Sequence, residues 1–391
     1  MKKIFSVILI LILCFSSVCV NAQTSPFCNL DPDAFDAKSI LLMDADTGYV
    51  IMAKNPDEKM PMASITKLMV LLIADEYLEE GKLKLTEIVT GTATAKETPG
   101  SRVYLDDGEK MTLDDILKSI SIPSANDAAV ALAEHIAGSE EAFVQLMNKR
   151  AQKLGLKDTH YVTASGLDAE GHYSTARDIA KISREVLLNH PRIMAHSATV
   201  SDTLRDGTFP LINTNNLLSN YQYATGLKTG TTDGAGYCLT ATAQKDNVKL
   251  ICVILGAPDS PTRFSEAKYL FEYTYSSFTP EIIQKKGILK DTEGNTIYVN
   301  VQRGNKSKVA LFCDKDITAF IPSSKKSLVR AEYEIDNSLV APVPKGSVVG
   351  KVNIYVDNVL VSTTQAKTSV EVKKMNIFQA FYHVLKAWLS I

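Results

Sequence analysis

The stretch MASITKLMVLLIADEYL, residues 62–78, decides how this chain is read. It is a long apolar run, and a helix is predicted to start at Ser64. On that helix Ser64 and Lys67 share a face. A helix N-terminus is also where free backbone N–H groups and the helix dipole favour developing negative charge. A serine hydroxyl is a poor nucleophile until a base takes its proton. Lys67 can be that base only when neutral, a form favoured by burial and by a second cation nearby. The competing reading of Ser64 is a plain N-cap.

Two later patterns change the weight of the first. Ile122-Pro123-Ser124-Ala125-Asn126 precedes a helical pattern, which places Ser124 and Asn126 on an outward-projecting loop at a helix start. Ser124 can relay a proton to a leaving amine, and the Asn126 amide can hold both a substrate carbonyl and the Lys67 ammonium. The plainer alternative is capping. Further on, Gly226-Leu227-Lys228-Thr229-Gly230-Thr231 leads into an apolar hairpin. On an edge strand Lys228 and Gly230 fall on one face. A peptide can pair there as an added strand, and Gly230 permits close backbone approach. Lys228 is also the candidate second cation beside Lys67; otherwise it is an exposed lysine on a surface turn. Each pattern is weak by itself. In this order they supply what serine acyl transfer needs: a nucleophile, amines to move its proton, and groups that orient a substrate.

The surrounding pattern gives these motifs a frame. Lys38 to Met43 and Tyr49 to Ala53 read as a hairpin around the turn formers Asp44 to Gly48. Helical signals follow at Leu113 to Ser119, Asn126 to Ala137, Glu140 to Leu154 and Ala176 to Leu188. Strand character returns near Gly226, at Tyr237 to Ala243 and at Val248 to Leu255, before a helix over Thr262 to Tyr275. Strands on both sides of a helical middle predict one sheet closed by the chain's return, with a helical subdomain inserted. From about Ile282 short β-like runs take over: TIYVNV, KVALFC, RAEYEI, SVVGKVNIYV and TSVEVK. They read as a small all-β domain without a catalytic cluster.

The ends differ from both. Lys2, Lys3, the apolar run Ile4 to Phe15 and Val20-Asn21-Ala22 read as a signal peptide cleaved before Gln23. The run is short for a span, which needs roughly 20 residues. At the other end Ile377, Phe378, Phe381, Tyr382, Leu385, Trp388 and Leu389 recur at helical spacing, with Lys374, Gln379, His383 and Lys386 on other faces. This amphipathic helix is expected to lie in a membrane interface, with docking on the β-domain as the alternative. Residues 1–22, 23–277, 278–372 and 373–391 thus divide into leader, catalytic domain, all-β domain and anchoring helix.

Composition narrows the field. The 391 residues suggest about two domains. A net charge of −2 offers no basic field for nucleic acid. The six His are dispersed and no CxxC occurs, so no metal site or cofactor is expected. Cys28, Cys238, Cys252 and Cys313 resemble no disulfide framework and read as buried free thiols.

The longer segments ILLMDADTGYVIMAKNPDEKMPMASITK, IPSANDAAVALAEHIAG, HYSTARDIA, GLKTGTTDGAGYCLTATA and ILGAPDSPTRF are more specific than the three cores. Through them the chain resembles the penicillin-binding D-alanyl-D-alanine carboxypeptidases of low molecular mass, serine DD-peptidases of the peptidase S11 kind, over nearly its whole length after the leader. The resemblance implies an α/β (α+β) serine β-lactamase/DD-peptidase-like domain: an antiparallel sheet flanked by helices, with the inserted helical subdomain, followed by the all-β domain and anchor. By position it implies Ser64 as the acylated nucleophile, Lys67 as its proton-transfer partner and Ser124 as a catalytic hydroxyl. Asn126, Lys228, Thr229, Gly230 and Thr231 would bind substrate, and Arg263 would lie near the substrate carboxylate. The N–H groups of Ser64 and Thr231 would form an oxyanion hole. The implied partners are peptidoglycan stem peptides, β-lactams and the outer face of the cytoplasmic membrane, where an exported enzyme would sit peripherally. Two departures stand out: Thr163 where relatives more often have Asn, and Ala224-Thr225 where an acidic residue is more usual.

Three other readings are weighed against this one. A class A β-lactamase shares the motifs but uses a Glu to activate the deacylating water, and THYVTASGLDAEGHYS holds no E-x-x-x-N signature. A non-catalytic peptidoglycan-binding protein fits poorly with Ser64, Lys67 and Lys228 all in place. An endopeptidase or transpeptidase acting on crosslinks shares the acyl-enzyme step.

Overall fold

The structure, a computed structural model, describes residues 24–336, 338–381 and 385. The expected leader lies outside these residues, as do positions 382–384 and 386–391 of the segment expected to form the C-terminal helix. The first domain is built on one five-stranded antiparallel sheet. Its spatial order is Val50–Lys54, Ser39–Asp44, Val248–Ala257, Gly236–Lys245 and Ala224–Thr232. The N-terminal hairpin and the later strands therefore meet, with Ile40 opposite Ile254.

Period-2 alternation feeds two cores from these strands. Leu41, Met43, Ile251, Val253 and Leu255 face the helical subdomain. Ile40, Leu42, Leu250, Cys252 and Ile254 face Leu270 and Phe271 of the helix Ser260–Ser277. Covered on both faces, the central strands are apolar at nearly every position. The edge strand Ala224–Thr232 is paired only on its Gly236–Lys245 side, with Lys228 opposite Thr240 and Gly230 opposite Cys238.

The subdomain inserts between the second and third strands in sequence. Its centre is the helix Lys67–Glu79, buried continuously from Lys67 to Asp75 and packed against Leu113–Ser121, Asn126–Ala137, Glu140–Lys153, Ala176–Asn189 and Pro191–Ala198. A helix surrounded by others is apolar all round, which explains its unbroken LMVLLI run. The structure corrects its start: Ala63–Thr66 is a 3-10 turn, and the α-helix begins at Lys67.

The helix Ser260–Ser277 is followed at once by the strand Phe278–Gln284, which pairs with Ile317–Pro322. Phe278 stacks on Phe320 with ring centroids 5.6 Å apart. The rest of the β-domain is a seven-stranded sheet. The run TSVEVK does not form the strand expected of it. The long strand Val359–Thr368 takes the sheet position, and Val372 makes only an isolated bridge to Val343. Cys28, Cys238, Cys252 and Cys313 are all free; the last three are buried and Cys28 is half-buried.

One loop, Tyr161 to Tyr173, locks the first turn of the central helix. His172 Nδ1 accepts from Val162 N at 3.0 Å, so the ring proton sits on Nε2 and points at Thr66 Oγ1, 2.7 Å away. Burial, reinforced by His160 and partly opposed by Asp168, pushes His172 down to about 4. Between pH 6.5 and 4 the unfolded chain therefore binds a proton that the fold refuses, and stability falls as pH falls. The loss approaches roughly 3 kcal/mol by pH 4. His172→Gln should flatten that part of the stability–pH curve in urea unfolding; an unchanged slope would contradict the buried neutral ring.

Candidate active site

Lys67 is the centre of the site. It is 0% exposed. Its Nζ lies 2.8 Å from Ser64 Oγ, 2.6 Å from Asn126 Oδ1 and 2.6 Å from the Ser165 carbonyl oxygen. Two of these three partners can only accept. The Asn126 amide is oriented by its other end, because Nδ2 donates to Pro99 O at 2.6 Å and so turns Oδ1 to Lys67. A neutral amine has two N–H groups and one lone pair. The two N–H groups answer Asn126 and Ser165, and the lone pair is left for the Ser64 hydroxyl. Burial, and then repulsion from Lys228, hold Lys67 well below the usual lysine range, with Asp127 opposing. Lys228 is itself 1% exposed, and burial with the Arg263 charge pushes it down to about 7.

Neither capping alternative survives. Ser64 makes no cap hydrogen bond, and the helix Asn126–Ala137 has Ala125 at its N-cap with no side-chain partner. Ser124 and Asn126 are buried, where outward projection was expected. Ser124 adopts φ +66°, a left-handed conformation uncommon for a residue with a Cβ. Its Oγ is buried without a hydrogen-bond partner among the described residues.

The loop carrying Pro99 is tied down twice. Asn126 N donates to Ser101 O at 2.7 Å, and the buried Asp127 carboxylate accepts from Val103 N and Leu105 N at 3.2 and 3.0 Å. Gly100, at φ +92°, must lack a side chain, since a Cβ there would meet Asn126 Nδ2 at 2.6 Å. The edge strand approaches as closely. A Cβ on Gly230 would lie 2.9 Å from Met62 O and 3.0 Å from Ser64 N. Thr229 Oγ1 is 2.6 Å from Thr214 Oγ1, and Thr231 Oγ1 donates to Gly230 O at 2.8 Å.

The loop facing Lys67 is braced from behind. Glu140 accepts from Ala164 N at 2.7 Å, and Gly166 N donates to Thr163 Oγ1 at 3.0 Å, so Thr163 uses its hydroxyl to close the turn. Asp168 accepts from Thr232 Oγ1 and Gly234 N, joining this loop to the strand hairpin.

Arg263, expected near the substrate carboxylate, is buried beneath the edge strand and reaches the Thr231 hydroxyl. Its Nη1 donates to Gly230 O, Thr231 Oγ1 and Cys238 O at 3.0, 3.1 and 3.1 Å, and Nη2 to Ser260 Oγ. Both terminal nitrogens of the guanidinium are thus engaged, while its Nε is buried without a hydrogen-bond partner among the described residues. Sequence reasoning also passed over Ser165, Asp127 and Thr214. One further group could in principle hold a metal: Asp75, Glu79 and His190 converge within 4.8 Å. Asp75, however, already pairs with Arg192 and His190, which occupy both its oxygens.

Comparison with known proteins places this geometry. Residues 26–259 match the D-alanyl-D-alanine carboxypeptidase family, peptidase S11, and residues 288–374 match the C-terminal domain of penicillin-binding protein 5. D-alanyl-D-alanine carboxypeptidase DacF of Bacillus subtilis is 34% identical over 359 residues, 91% of this chain and 90% of that one. The crystal structure of penicillin-binding protein 5 from Haemophilus influenzae superposes with a TM-score of 0.78 at 33% identity, covering 88% of this chain and all of that one. Penicillin-binding protein D2 of Listeria monocytogenes, solved with ampicillin bound, gives a TM-score of 0.57 at 30% identity over 62% of this chain and 98% of that one. With its half-buried serine hydrogen-bonded to a buried lysine beside an unpaired sheet edge, the chain belongs to the D-alanyl-D-alanine carboxypeptidase family of penicillin-binding serine hydrolases.

Proposed function

We infer that Ser64 is the nucleophile of an exported carboxypeptidase that removes the terminal D-alanine from peptidoglycan stem pentapeptides. The observation that carries the reading is the Lys67 amine, held by two acceptor-only oxygens with its third direction on Ser64 Oγ. Lys67 takes the serine proton as Ser64 attacks the penultimate D-alanine carbonyl. The N–H groups of Ser64 and Thr231 receive the oxyanion, each donor contributing roughly 2.7–4 kcal/mol in the transition state. Support for this pairing is the bare Gly230, which lets the strand come against Ser64 N. Lys228 and Thr229 hold the terminal carboxylate, and Asn126 holds a peptide carbonyl. Ser124 passes a proton to the departing D-alanine amine, and water then hydrolyses the acyl-enzyme. Arg263 acts at one remove, by bracing the strand.

β-Lactams enter the same cleft and acylate Ser64. The loop facing Lys67, residues 163–168, presents a backbone carbonyl and carries no glutamate, so deacylation of a bound penicillin is expected to be slow. This separates the reading from a β-lactamase.

The leader directs export, and the C-terminal helix rests on the outer face of the cytoplasmic membrane. Residues 377–381 are helical, with Ile377, Phe378 and Phe381 exposed by 80%, 82% and 69%. Three apolar side chains turned to solvent on one helical stretch suit an interface better than water. No helix among the described residues is long and apolar enough to cross a membrane.

Three outcomes test this account. Ser64→Ala should abolish both D-alanine release from a defined pentapeptide and covalent labelling by penicillin, read by mass spectrometry; survival of either would remove Ser64 from its role. Lys67→Met, which keeps length without an amine, should slow acylation by about 10²–10⁴-fold in protein that circular dichroism shows to be folded. A near-normal rate would exclude Lys67 as the base. Truncation after Lys373 should move the protein from the membrane pellet to the supernatant, and unchanged sedimentation would contradict the anchor.

A further inference from the structure

We propose that Thr214 is a positioning residue that fixes the direction of the Thr229 hydroxyl proton and so makes the cleft selective for a free C-terminal carboxylate. The proposal rests on the carboxypeptidase reading above. Thr214 lies on the segment Asn213 to Asn216, between the turn before Ser124 and the edge strand. Both neighbours bind it in place. Asn213 Nδ2 donates to Ser197 O and Thr199 O at 3.1 and 2.8 Å, while its Oδ1 accepts from Asn215 N at 2.9 Å. Asn215 Oδ1 accepts in turn from Leu217 N at 3.2 Å. Thr214 N donates to Ile122 O at 3.3 Å. Its hydroxyl oxygen is left 2.6 Å from that of Thr229.

Two hydroxyls in contact share one hydrogen bond, and which of them donates depends on what else each meets. A carboxylate only accepts. When it sits against Thr229, the single Thr229 proton must point at it, and the Thr229 oxygen must accept from Thr214. The chain Thr214 to Thr229 to carboxylate then polarises in one direction, which strengthens the last link. A neutral terminal amide brings its own donors and does not need that order. Thr214 thereby acts through Thr229 on one substrate feature, the charge at the C-terminus.

The experiment uses the full chain and two substrates, a stem-type peptide ending in D-Ala-D-Ala and the same peptide ending in D-alaninamide. For Thr214→Val we expect kcat/KM on the carboxylate peptide to fall about tenfold, chiefly through KM. The amide peptide should change less than twofold. Thr214→Ser, which restores the hydroxyl, should recover the wild-type values. Thr214→Ala reads the same loss without added bulk should valine distort the loop. If valine or alanine lowers both substrates alike, or serine is as poor as valine, Thr214 is merely structural and the proposal fails. If the wild-type protein releases no D-alanine from the carboxylate peptide, the carboxypeptidase reading itself fails and the proposal falls with it.

Discussion

A lysine ammonium buried without a carboxylate is costly, and everything at this site follows from how that cost is avoided. Lys67 meets no acid among its hydrogen-bond partners, only an amide oxygen, a backbone carbonyl and a hydroxyl. The cheaper state of such a group is the neutral amine, and the neutral amine is the one that can accept a proton. Lys228 raises the cost of charging it further, and is itself unsettled by burial and Arg263. Buried cations arranged in sequence, Arg263 to Lys228 to Lys67, thus bias the one beside Ser64 toward the basic form.

Holding that arrangement requires parts from distant places in the chain. The Asn126 oxygen faces Lys67 because Pro99 takes the other end of the amide, and Pro99 is where it is because Asp127 ties down the loop beyond it. The Ser165 carbonyl is presented by a loop held through Glu140, His172 and Asp168. The sheet supplies the opposite wall, where Gly230 removes the side chain that would separate strand from nucleophile. These hydrogen bonds to backbone make the geometry rigid in advance, which is what a transition-state complement needs.

Much of the frame was legible because its signals are local. The helix Asn126–Ala137 has the bounds its pattern implies, ending at Gly138 in the left-handed conformation. The alternating strands and the helical middle read correctly for the same reason. Short elements were missed, among them the helix Pro191–Ala198 and the hairpin of Ser201–Leu204 with Phe209–Ile212. TSVEVK alternates like a strand, yet the competing run Val359–Thr368 already occupied the sheet. In the site, Ser64, Lys67, Ser124, Asn126 and Lys228 carry chemistry in their side chains and announce themselves. Ser165 acts through a carbonyl that every residue has. Asp127 reads as an ordinary first-turn acid, and Thr214 and Arg263 gain their meaning only from partners across the fold.

The central claim is that the Lys67 amine is neutral where an ordinary lysine would be charged. Its most direct test is a pH titration of the Lys67 Nζ chemical shift by 15N NMR in the free enzyme, repeated with Lys228→Met. The account predicts a midpoint far below the usual 10.5, moving upward when the second cation is removed. A midpoint at or above the ordinary value, indifferent to Lys228, would contradict it.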